Sequence, residues 1–350
     1  MRIIFVTDTL ASGGAERVIS VLANNLCSSY SNVEIICLRK HVVFYELDSR
    51  VKIVFAEDYS NGWVSKLKWL RNYVMKDDVV IAFMIRVYCV TLLSLLGLNR
   101  KIISSERNDP RATPFRWKIL RTLLLPFTTR HVVQTEDIKN YFSLSIQKKI
   151  SIIYNPINIK QCSNEQWNNS RTSVLAMARL DKQKNYPMMI SAFLKFHKKY
   201  PRFILNIWGN RGHDEQTDEI IKMIESNHAS EYIKLNGRCN DVAKEYGKAY
   251  MFLLTSNYEG FSNSMMEAVC SGVPTISTKV SGAKDLIDNE RNGLLIDVNN
   301  FDQLLNSMIK LAEDPIFAHA ISEEGKKARE KFDESRICSE WCNLINSVLS

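Results

Sequence analysis

Two glutamates, Glu259 and Glu267, stand eight positions apart in the stretch SNYEGFSNSMMEAVCSGVP. The apolar run at residues 250–254 predicts a buried parallel strand, and the turn after it leads into a helix that runs through Ala268. In an open α/β sheet, ligands bind beside the carboxyl ends of the strands, and the start of a helix offers unpaired backbone N–H groups to an anion. Two carboxylates, one on either side of such a turn, can accept hydrogen bonds from hydroxyl groups. This arrangement would fit the ribose, diphosphate and sugar of a nucleotide sugar.

The residues between the two glutamates are candidates for contacts to the phosphates. Either a serine or an asparagine can cap the predicted helix, so that the backbone at its start faces the ligand. Considered in isolation, the two carboxylates are weak evidence, because most glutamate side chains lie at the surface. The residues predicted to contact a nucleotide sugar here are Gly260, Phe261, Ser262, Asn263, Ser264 and Glu267.

Two cations, Arg179 and Lys184, follow the strand predicted at residues 173–177. At the carboxyl end of that strand they could hold a diphosphate and stabilise the charge that grows on it as a glycosidic bond breaks. Lys182 competes with Lys184 for this role, and loop cations are usually only solvated. The sequence has no Asp-x-Asp pair of the kind that holds a divalent ion against a diphosphate. We therefore expect that no metal ion is required.

Two glycine-containing loops are further candidates. Gly13 and Gly14 allow the backbone to approach a ligand closely at the start of a helix, although a Gly-Gly pair is often only a tight turn. Gly209, with Arg211 beside it, follows the strand predicted at residues 203–208, and WGNRGHD can equally be a simple turn.

Taken together, these motifs resemble those of glycosyltransferase family 4, whose members are retaining enzymes of the GT-B fold. The segment from Glu259 to Glu267 resembles the family's E-x7-E signature, and SGGAERV (12–18) resembles its N-terminal glycine loop. ARLDKQKN (178–185) resembles the family's Arg-Leu…Lys signature, and SGAKDLI with NGLLI (281–296) resembles the stretch after the second glutamate. The matches follow the family order along most of the sequence.

The resemblance implies a role for each candidate. Glu267 would bind the ribose hydroxyls, and Glu259 would contact the hydroxyls of the transferred sugar and steady positive charge at its anomeric carbon. Arg179, Lys184 and the backbone of residues 262–264 would hold the diphosphate. The implied donor is a nucleotide sugar, with uridine as the common base in the family.

Arg107, in the segment SERNDP, follows a strand predicted at residues 102–105. Many family members carry a histidine here that contacts the donor sugar, and none of the histidines of this sequence occupies a motif position. We group Arg107 with the residues that bind the nucleotide sugar. It could instead bind a phosphate of the acceptor, or pair with Glu106 or Asp109.

At 350 residues the chain exceeds the size of a single hydrophobic core, so two domains are expected. Strands alternate with helices in both halves, which predicts an α/β protein with two Rossmann-like, doubly wound parallel sheets. The predicted strands are at residues 3–6, 33–38, 79–83, 102–105, 131–134, 173–177, 203–208, 233–235, 250–254 and 275–278. We place the first domain at residues 1–165 and the nucleotide-sugar-binding domain at 166–331. The predicted linker consists of Asn155-Pro156 followed by the polar stretch at 161–172. The resemblance adds a GT-B arrangement with a cleft between the domains, in which the last helix (332–350) crosses back to the first.

Positive charge is concentrated in the first half of the chain. Residues 1–165 carry 23 Lys and Arg against 14 Asp and Glu, a net +9, whereas residues 166–350 carry 23 against 24, a net −1. The segment at 115–127 is typical of a basic amphipathic helix that binds anionic membrane, and a core-facing helix with a solvated basic side is the alternative. Its predicted apolar face consists of Trp117, Leu120 and Leu124, and its basic residues are Arg116, Lys118 and Arg121.

The sequence therefore predicts a retaining, metal-independent glycosyltransferase of bacterial O-antigen or capsule assembly. It would move a hexose or N-acetylhexosamine from a UDP-sugar to a polyprenyl-diphosphate-linked saccharide, at the anionic inner face of the plasma membrane. We expect a cytoplasmic, peripheral protein, because the first residues lack a signal-peptide cleavage site and no apolar run reaches the about 20 residues that span a bilayer. A GT-B transferase with a soluble acceptor, an epimerase-like relative and a non-catalytic nucleotide-sugar-binding subunit are the alternatives, and no nucleic-acid-binding module is recognisable.

Overall fold

Two series of alternating strands and helices form the protein, and each series builds its own parallel sheet. The computed structural model describes residues 1–158, 161–212 and 215–349. The chain divides into two compact units, one formed by Met1–Pro156 with the chain from Glu334 onward, the other by Ile157–Asp333.

The first unit is built on a sheet in which the described strands number seven and run parallel. Its strands and helices up to the boundary are β1 (Ile3–Thr7), α1 (Gly14–Leu26), β2 (Val33–Cys37), β3 (Val51–Phe55), α2 (Trp63–Tyr73), β4 (Val79–Phe83), α3 (Ile85–Leu95), β5 (Lys101–Ser105), α4 (Phe115–Leu124), β6 (Arg130–Val133), α5 (Glu136–Tyr141), α6 (Leu144–Gln147) and β7 (Ile150–Ile152). The strand order is β3-β2-β1-β4-β5-β6-β7, so the order reverses between β1 and β4. Such a reversal is a topological switch point, where doubly wound sheets bind ligands.

Both faces of the first sheet are covered. Along β1, Ile3 and Phe5 belong to one apolar cluster, whereas Ile4 and Val6 belong to another, and all four are inaccessible to solvent. A strand that is buried on both faces is apolar throughout, which explains the continuous apolar run at the start of the sequence.

The second unit repeats this architecture with a sheet of six described, parallel strands. Its strands and helices are β8 (Ser173–Met177), α7 (Tyr186–Lys199), β9 (Ile204–Trp208), α8 (Gln216–Ser226), β10 (Ile233–Leu235), α9 (Val242–Lys248), β11 (Ala249–Leu254), α10 (Asn263–Cys270), β12 (Thr275–Thr278), α11 (Ser281–Leu286), β13 (Leu294–Ile296), α12 (Phe301–Glu313), α13 (Pro315–Lys326) and α14 (Arg329–Phe332). The strand order is β10-β9-β8-β11-β12-β13, which places the switch point between β8 and β11.

The predicted α/β class with two doubly wound parallel sheets is confirmed. Every predicted strand is present, with ends that differ by at most two residues. Three strands that the sequence does not predict, β3, β7 and β13, each lie at the edge of a sheet. β7 and β13 are short and β3 is partly exposed, so their patterns are difficult to separate from those of loops.

The polar part of the predicted linker, residues 161–172, is wrong, because these residues belong to the second unit, whereas Asn155-Pro156 adjoins the observed boundary. Trp167 is buried in the apolar cluster of that unit, and its Nε1 donates to the carbonyl of Tyr250 at 2.8 Å. Arg329 donates to the carbonyl of Ser163 in the same unit. The boundary between the two units therefore lies at residues 156–157 rather than at 165. The segment at 161–172 is packed in the second unit although its composition is polar.

The last described helix, α15 (Glu334–Leu349), packs on the first unit. Its Ile337 and Trp341 are fully buried in the apolar cluster that also contains residues of β1. At its start, Nδ2 of Asn25 donates to Oε1 of Glu334 at 2.7 Å. Among the described helices, none is long and apolar enough to cross a bilayer.

The exposed face of α4 differs from the predicted one. Leu124 is buried in the core, and Arg121 is buried in an ion pair with Glu106. Of the predicted apolar face, Leu120 is exposed. The other apolar side chains that α4 and the turn after it expose are Phe115, Ile119, Leu123 and Phe127. The sequence places apolar residues correctly around the helix, but it does not reveal which side the neighbouring elements cover.

Candidate functional site

The loops after β8 and β11 meet at the switch point of the second sheet. The loop after β8 carries Arg179 and Lys184, and the loop after β11 carries Glu259. Because β8 and β11 are hydrogen-bonded neighbours and run parallel, both loops leave the same edge of the sheet side by side.

Glu259 is buried, and three side chains donate to its carboxylate. Lys184 forms an ion pair with Oε1 through Nζ. Ser256 Oγ donates to the same oxygen at 2.7 Å, and Gln183 Nε2 donates to Oε2 at 3.2 Å. Both carboxylate oxygens are therefore held in position, and one ammonium balances the charge.

Arg179 and Lys184, predicted together as ligands of a diphosphate, have different surroundings. Only 14% of the Lys184 side chain is exposed, and its ammonium contacts Glu259. For Arg179 the exposed fraction is 53%, and its Nη2 lies 3.5 Å from Oδ2 of Asp181. Exposed ion pairs contribute little, so Arg179 can exchange its carboxylate partner for a phosphate at small cost.

Glu267 lies inside α10 and is buried against Tyr246 of α9. The Tyr246 hydroxyl donates to Oε2 of Glu267 at 3.0 Å and also lies 3.1 Å from the carbonyl oxygen of Ser264. This tyrosine fixes the orientation of the carboxylate relative to the start of α10.

The turn between the two glutamates forms the predicted cap. Ser262 is the N-cap of α10, and its Oγ accepts from the backbone N–H of Met265 at 3.4 Å. Asn263 is the first residue of the helix. Phe261 is buried, with its ring 5.4 Å from the ring of Phe332.

Gly260 is constrained by α11, which begins directly against it. A Cβ atom on Gly282 would lie 2.7 Å from the carbonyl oxygen of Gly260. The absence of a side chain at Gly282 therefore lets α11 support the Glu259 turn at backbone distance.

Gly209 has a structural reason to be glycine. A Cβ atom at this position would lie 1.8 Å from the carbonyl oxygen of Ala178, next to Arg179. The close approach holds the loops after β8 and β9 together, and Arg211 is ion-paired with Asp218 on α8. Gly209 thus supports the backbone that carries Arg179.

Gly13, Gly14 and Arg107 lie in the first unit. Gly13 is the N-cap of α1 and Gly14 its first residue, as predicted for a helix start. The carbonyl oxygen of Gly13 accepts from the Tyr45 hydroxyl at 2.9 Å. Arg107 follows β5 and donates to Oδ1 of Asn155 at 2.9 Å; it does not pair with Glu106 or Asp109 in the described part of the chain.

Sequence reasoning missed three residues of the second unit that hold the two glutamates. Gln183 directly precedes Lys184, and Ser256 follows the end of β11. These positions next to predicted site residues could have marked both as candidates. Tyr246 lies on a different helix from Glu267, and no spacing rule connects the two residues. Only the packing of α9 beside α10 brings them together.

Comparison with solved structures identifies the architecture. A structure of Anabaena Alr3699/HepE in complex with UDP and glucose matches with a TM-score of 0.87 and 17% sequence identity, covering 99% of this chain and 100% of that chain. The chain has the GT-B fold. A crystal structure of TarM matches this GT-B chain with a TM-score of 0.79 and 16% identity, over 99% of each chain.

Residues 160–328 of the GT-B chain match the family model described as glycosyl transferases group 1. A Campylobacter jejuni protein named GalNAc-alpha-(1->4)-GalNAc-alpha-(1->3)-diNAcBac-PP-undecaprenol alpha-1,4-N-acetyl-D-galactosaminyltransferase is 28% identical over 99% of both chains. A second C. jejuni protein, named N-acetylgalactosamine-N,N'-diacetylbacillosaminyl-diphospho-undecaprenol 4-alpha-N-acetylgalactosaminyltransferase, is 25% identical over 94% of this chain and 95% of its own length. The matched range contains Arg179, Lys184, Glu259 and Glu267, and similarity to glycosyltransferases extends along nearly the whole chain.

Proposed function

We propose that this chain is a retaining glycosyltransferase of family 4. It transfers a hexose or N-acetylhexosamine from a UDP-sugar to a polyprenyl-diphosphate-linked saccharide in O-antigen or capsule assembly. The observation that carries the proposal is the buried Glu259 carboxylate, held by Lys184, Ser256 and Gln183 at the switch point of the second sheet. The relatives named as acting on undecaprenyl-diphosphate-linked sugars support this acceptor class, and the UDP complex of HepE supports uridine.

The two glutamates divide the recognition of the donor. Glu267, oriented by Tyr246, accepts from the ribose hydroxyls. Glu259 accepts from hydroxyls of the transferred sugar and stabilises the positive charge that develops at the anomeric carbon in the transition state. Lys184 and its neighbours fix this carboxylate before substrate binds, so that little reorganisation is needed during the reaction.

The diphosphate is bound by Arg179 and by the backbone N–H groups at the start of α10. A helix N-terminus carries a partial positive charge, and a guanidinium forms paired hydrogen bonds with phosphate oxygens. These groups stabilise the charge on the leaving UDP, and the reaction accordingly proceeds without a metal ion.

The transfer is a displacement on one face of the sugar. The acceptor oxygen forms a bond to the anomeric carbon while the bond from that carbon to the β-phosphate oxygen breaks. The proton of the acceptor hydroxyl passes to the leaving phosphate. The configuration at the anomeric carbon is retained, and UDP and the extended saccharide are the products.

A donor panel tests the proposal directly. We expect one UDP-sugar, among UDP-, GDP- and ADP-sugars, to raise the melting temperature and to be hydrolysed slowly with EDTA present. Transfer to a short polyprenyl-diphosphate-linked saccharide should then give a product with the donor's anomeric configuration by NMR. Stabilisation by none of the nucleotides would reject the transferase assignment, and activity that disappears with EDTA would reject metal independence.

The proposal includes a membrane surface, because the acceptor is anchored by its lipid. Phe115, Ile119, Leu120 and Leu123 of α4, with Phe127 in the turn after it, form an apolar and exposed face. Arg116 lies next to this face and is exposed as well. Exposed apolar side chains beside cations are typical of helices that lie in an anionic membrane interface.

We expect Leu123→Glu to weaken binding to anionic vesicles by about tenfold or more, because a buried leucine contributes about 1.5–3 kcal/mol and a carboxylate is repelled by the lipid headgroups. Co-sedimentation with vesicles containing phosphatidylglycerol measures this affinity. Ile316→Glu is the control, since Ile316 is also exposed but lies on α13 of the second unit. Equal loss in both variants, or no binding by the wild type, would remove α4 as the membrane surface.

A further inference from the structure

The first unit holds an arginine whose guanidinium is only partly satisfied. Nη1 of Arg107 donates to Oδ1 of Asn155 at 2.9 Å. Arg107 as a residue is partly exposed, whereas its Nε and Nη2 are inaccessible and, within residues 1–158, 161–212 and 215–349, have no hydrogen-bond partner. Burial of this group lowers the pKa of Arg107 to about 9.

The surroundings of this guanidinium are apolar. It lies 4.4 Å from the ring centre of Phe83 and 5.6 Å from that of Trp341. Both rings belong to the apolar cluster of the first unit. Aromatic rings attract a cation, but they do not accept its N–H groups as an oxygen does.

No carboxylate of the described chain balances this charge. Glu106, the neighbour in sequence, is 3.5 Å from the guanidinium of Arg121 and accepts from the Tyr88 hydroxyl at 2.8 Å. The negative charge of Glu106 therefore balances Arg121 and not Arg107. A desolvated cation without a counter-ion is costly, and its natural partner is an anion from outside the chain.

The unpaired edge of the guanidinium, which carries Nε and Nη2, has the geometry of an oxyanion receptor. Nε and Nη2 are the two nitrogens whose N–H groups point in the same direction, which is the fork that binds two oxygens of a phosphate. Nε1 of Trp341, whose ring lies beside the guanidinium, is also buried without a partner in the described residues, as is the hydroxyl of Ser105, two positions before Arg107 in sequence.

We propose that Arg107 is the cation of an oxyanion site in the first unit, which takes a phosphate-type group. The site lies at the carboxyl end of β5, where parallel sheets bind ligands. The net charge of +9 on residues 1–165 favours the same class of ligand. A nucleotide diphosphate, a prenyl diphosphate and inorganic phosphate all present this chemistry.

The test is anion-dependent thermal stability in an Arg179→Ala background, which weakens phosphate binding in the second unit. We expect saturating pyrophosphate to raise the melting temperature by at least about 3 °C over sodium chloride of equal ionic strength. Arg107→Met should abolish this shift. Without the anion, Arg107→Met should be as stable as its parent or more so, because an apolar side chain replaces an unpaired buried charge.

Arg107→Lys keeps the charge but lacks the fork, so it should bind pyrophosphate at least about tenfold more weakly. This variant replaces Arg107→Met in the test if the methionine variant does not fold. Arg116→Met removes an exposed cation of the same unit and should keep the full shift. Inorganic phosphate, UDP and farnesyl diphosphate are then compared at equal concentration. The compound whose increase in melting temperature depends on Arg107 identifies the kind of molecule that supplies the phosphate group.

No pyrophosphate shift in the parent, or a shift that persists in Arg107→Met, would overturn the proposal. An unchanged shift combined with a lower basal melting temperature would show instead that Arg107 only ties β5 to α15. The melting temperature does not depend on sugar transfer, so this experiment can reject the oxyanion site without rejecting the transferase activity.

Discussion

Replacement of Glu259 by glutamine is expected to lower the rate of sugar transfer by about 10²–10³-fold, the loss typical for a preorganised group that stabilises transition-state charge. Glutamine keeps the shape of the side chain, and it can still accept from Ser256. It loses the negative charge that Lys184 balances and that the anomeric carbon requires. The ratio kcat/KM for the UDP-sugar, measured with excess lipid-linked acceptor, gives the loss.

Two comparisons make this prediction specific to the site. Glu313→Gln also removes one partner of a Lys–Glu ion pair in the second unit, but this pair with Lys199 is exposed, and activity should stay within about twofold because such pairs contribute little. Transfer by Glu259→Gln within tenfold of the wild type would contradict the assigned role, provided the variant melts as a folded protein.

The double variant separates two roles of Lys184. If Lys184 acts by holding Glu259, Glu259→Gln with Lys184→Met should be no slower than Glu259→Gln alone, since residues that act as a unit are not additive. If Lys184 binds the diphosphate itself, its replacement should weaken UDP binding even in the Glu259→Gln background. Isothermal titration with UDP distinguishes these results, and the contact between the two side chains favours the first.

Arg121→Leu is expected to destabilise the protein by about 3–5 kcal/mol, the cost of leaving one charge of a buried pair without its partner. The side chains of Arg121 and Glu106 are 3% and 2% exposed, and the guanidinium also donates to the Tyr141 hydroxyl at 2.8 Å. Urea unfolding at pH 7 measures the free energy. Arg116→Leu on the same helix is the control and should change stability by less than about 0.5 kcal/mol, because Arg116 is exposed.

The deficit of Arg121→Leu should shrink as the pH falls from 7 toward 5. Burial raises the pKa of Glu106 above its ordinary value, and Arg121 partly opposes the shift. Without Arg121 the folded-state pKa rises further above that of the unfolded chain, so the folded variant binds a proton more strongly and gains stability on acidification. A deficit that is constant between pH 5 and pH 7 would show that the lost packing, and not the buried charge, causes the destabilisation.

The protonation of His131 also reduces the stability deficit of Arg121→Leu at low pH. Burial and, secondarily, Arg121 lower the pKa of His131 to about 3, so wild-type stability falls as the pH drops below the ordinary histidine value of 6.5. Removal of Arg121 weakens this effect, which further reduces the difference between the variant and the wild type at low pH. Repeating the series with His131→Phe in both proteins isolates the contribution of Glu106.

Much of the fold follows from local patterns in the sequence. The buried strands are continuous apolar runs, and the Ser262 cap marks the start of α10 as predicted. The edge strands β7 and β13 are missed because they have only 3 residues each, and β3 is missed because only Val51 and Val54 in it are buried. The segment at 161–172 is misassigned because a tryptophan buried among polar residues does not produce a periodic pattern.

The candidate site could be located from the sequence, but not its contacts. Glu259, Arg179 and Lys184 follow predicted strands, and parallel strands deliver the residues at their carboxyl ends to one edge of a sheet. The pairing of Lys184 with Glu259 depends on β8 and β11 being neighbours, which is a property of strand order and is not encoded by spacing.

The sequence by itself determined which residues are chemically capable and at which strand or helix ends they lie, because turns, caps and apolar periodicity act over a few residues. Only the tertiary structure decided the state of each charge. Arg121, Arg107 and Arg179 are the same residue type, yet the first is paired and buried, the second has two buried nitrogens without a partner in the described residues, and the third is half exposed. Burial and counter-ions are set by elements distant in the chain, and these determine the electrostatic energy of a charged group.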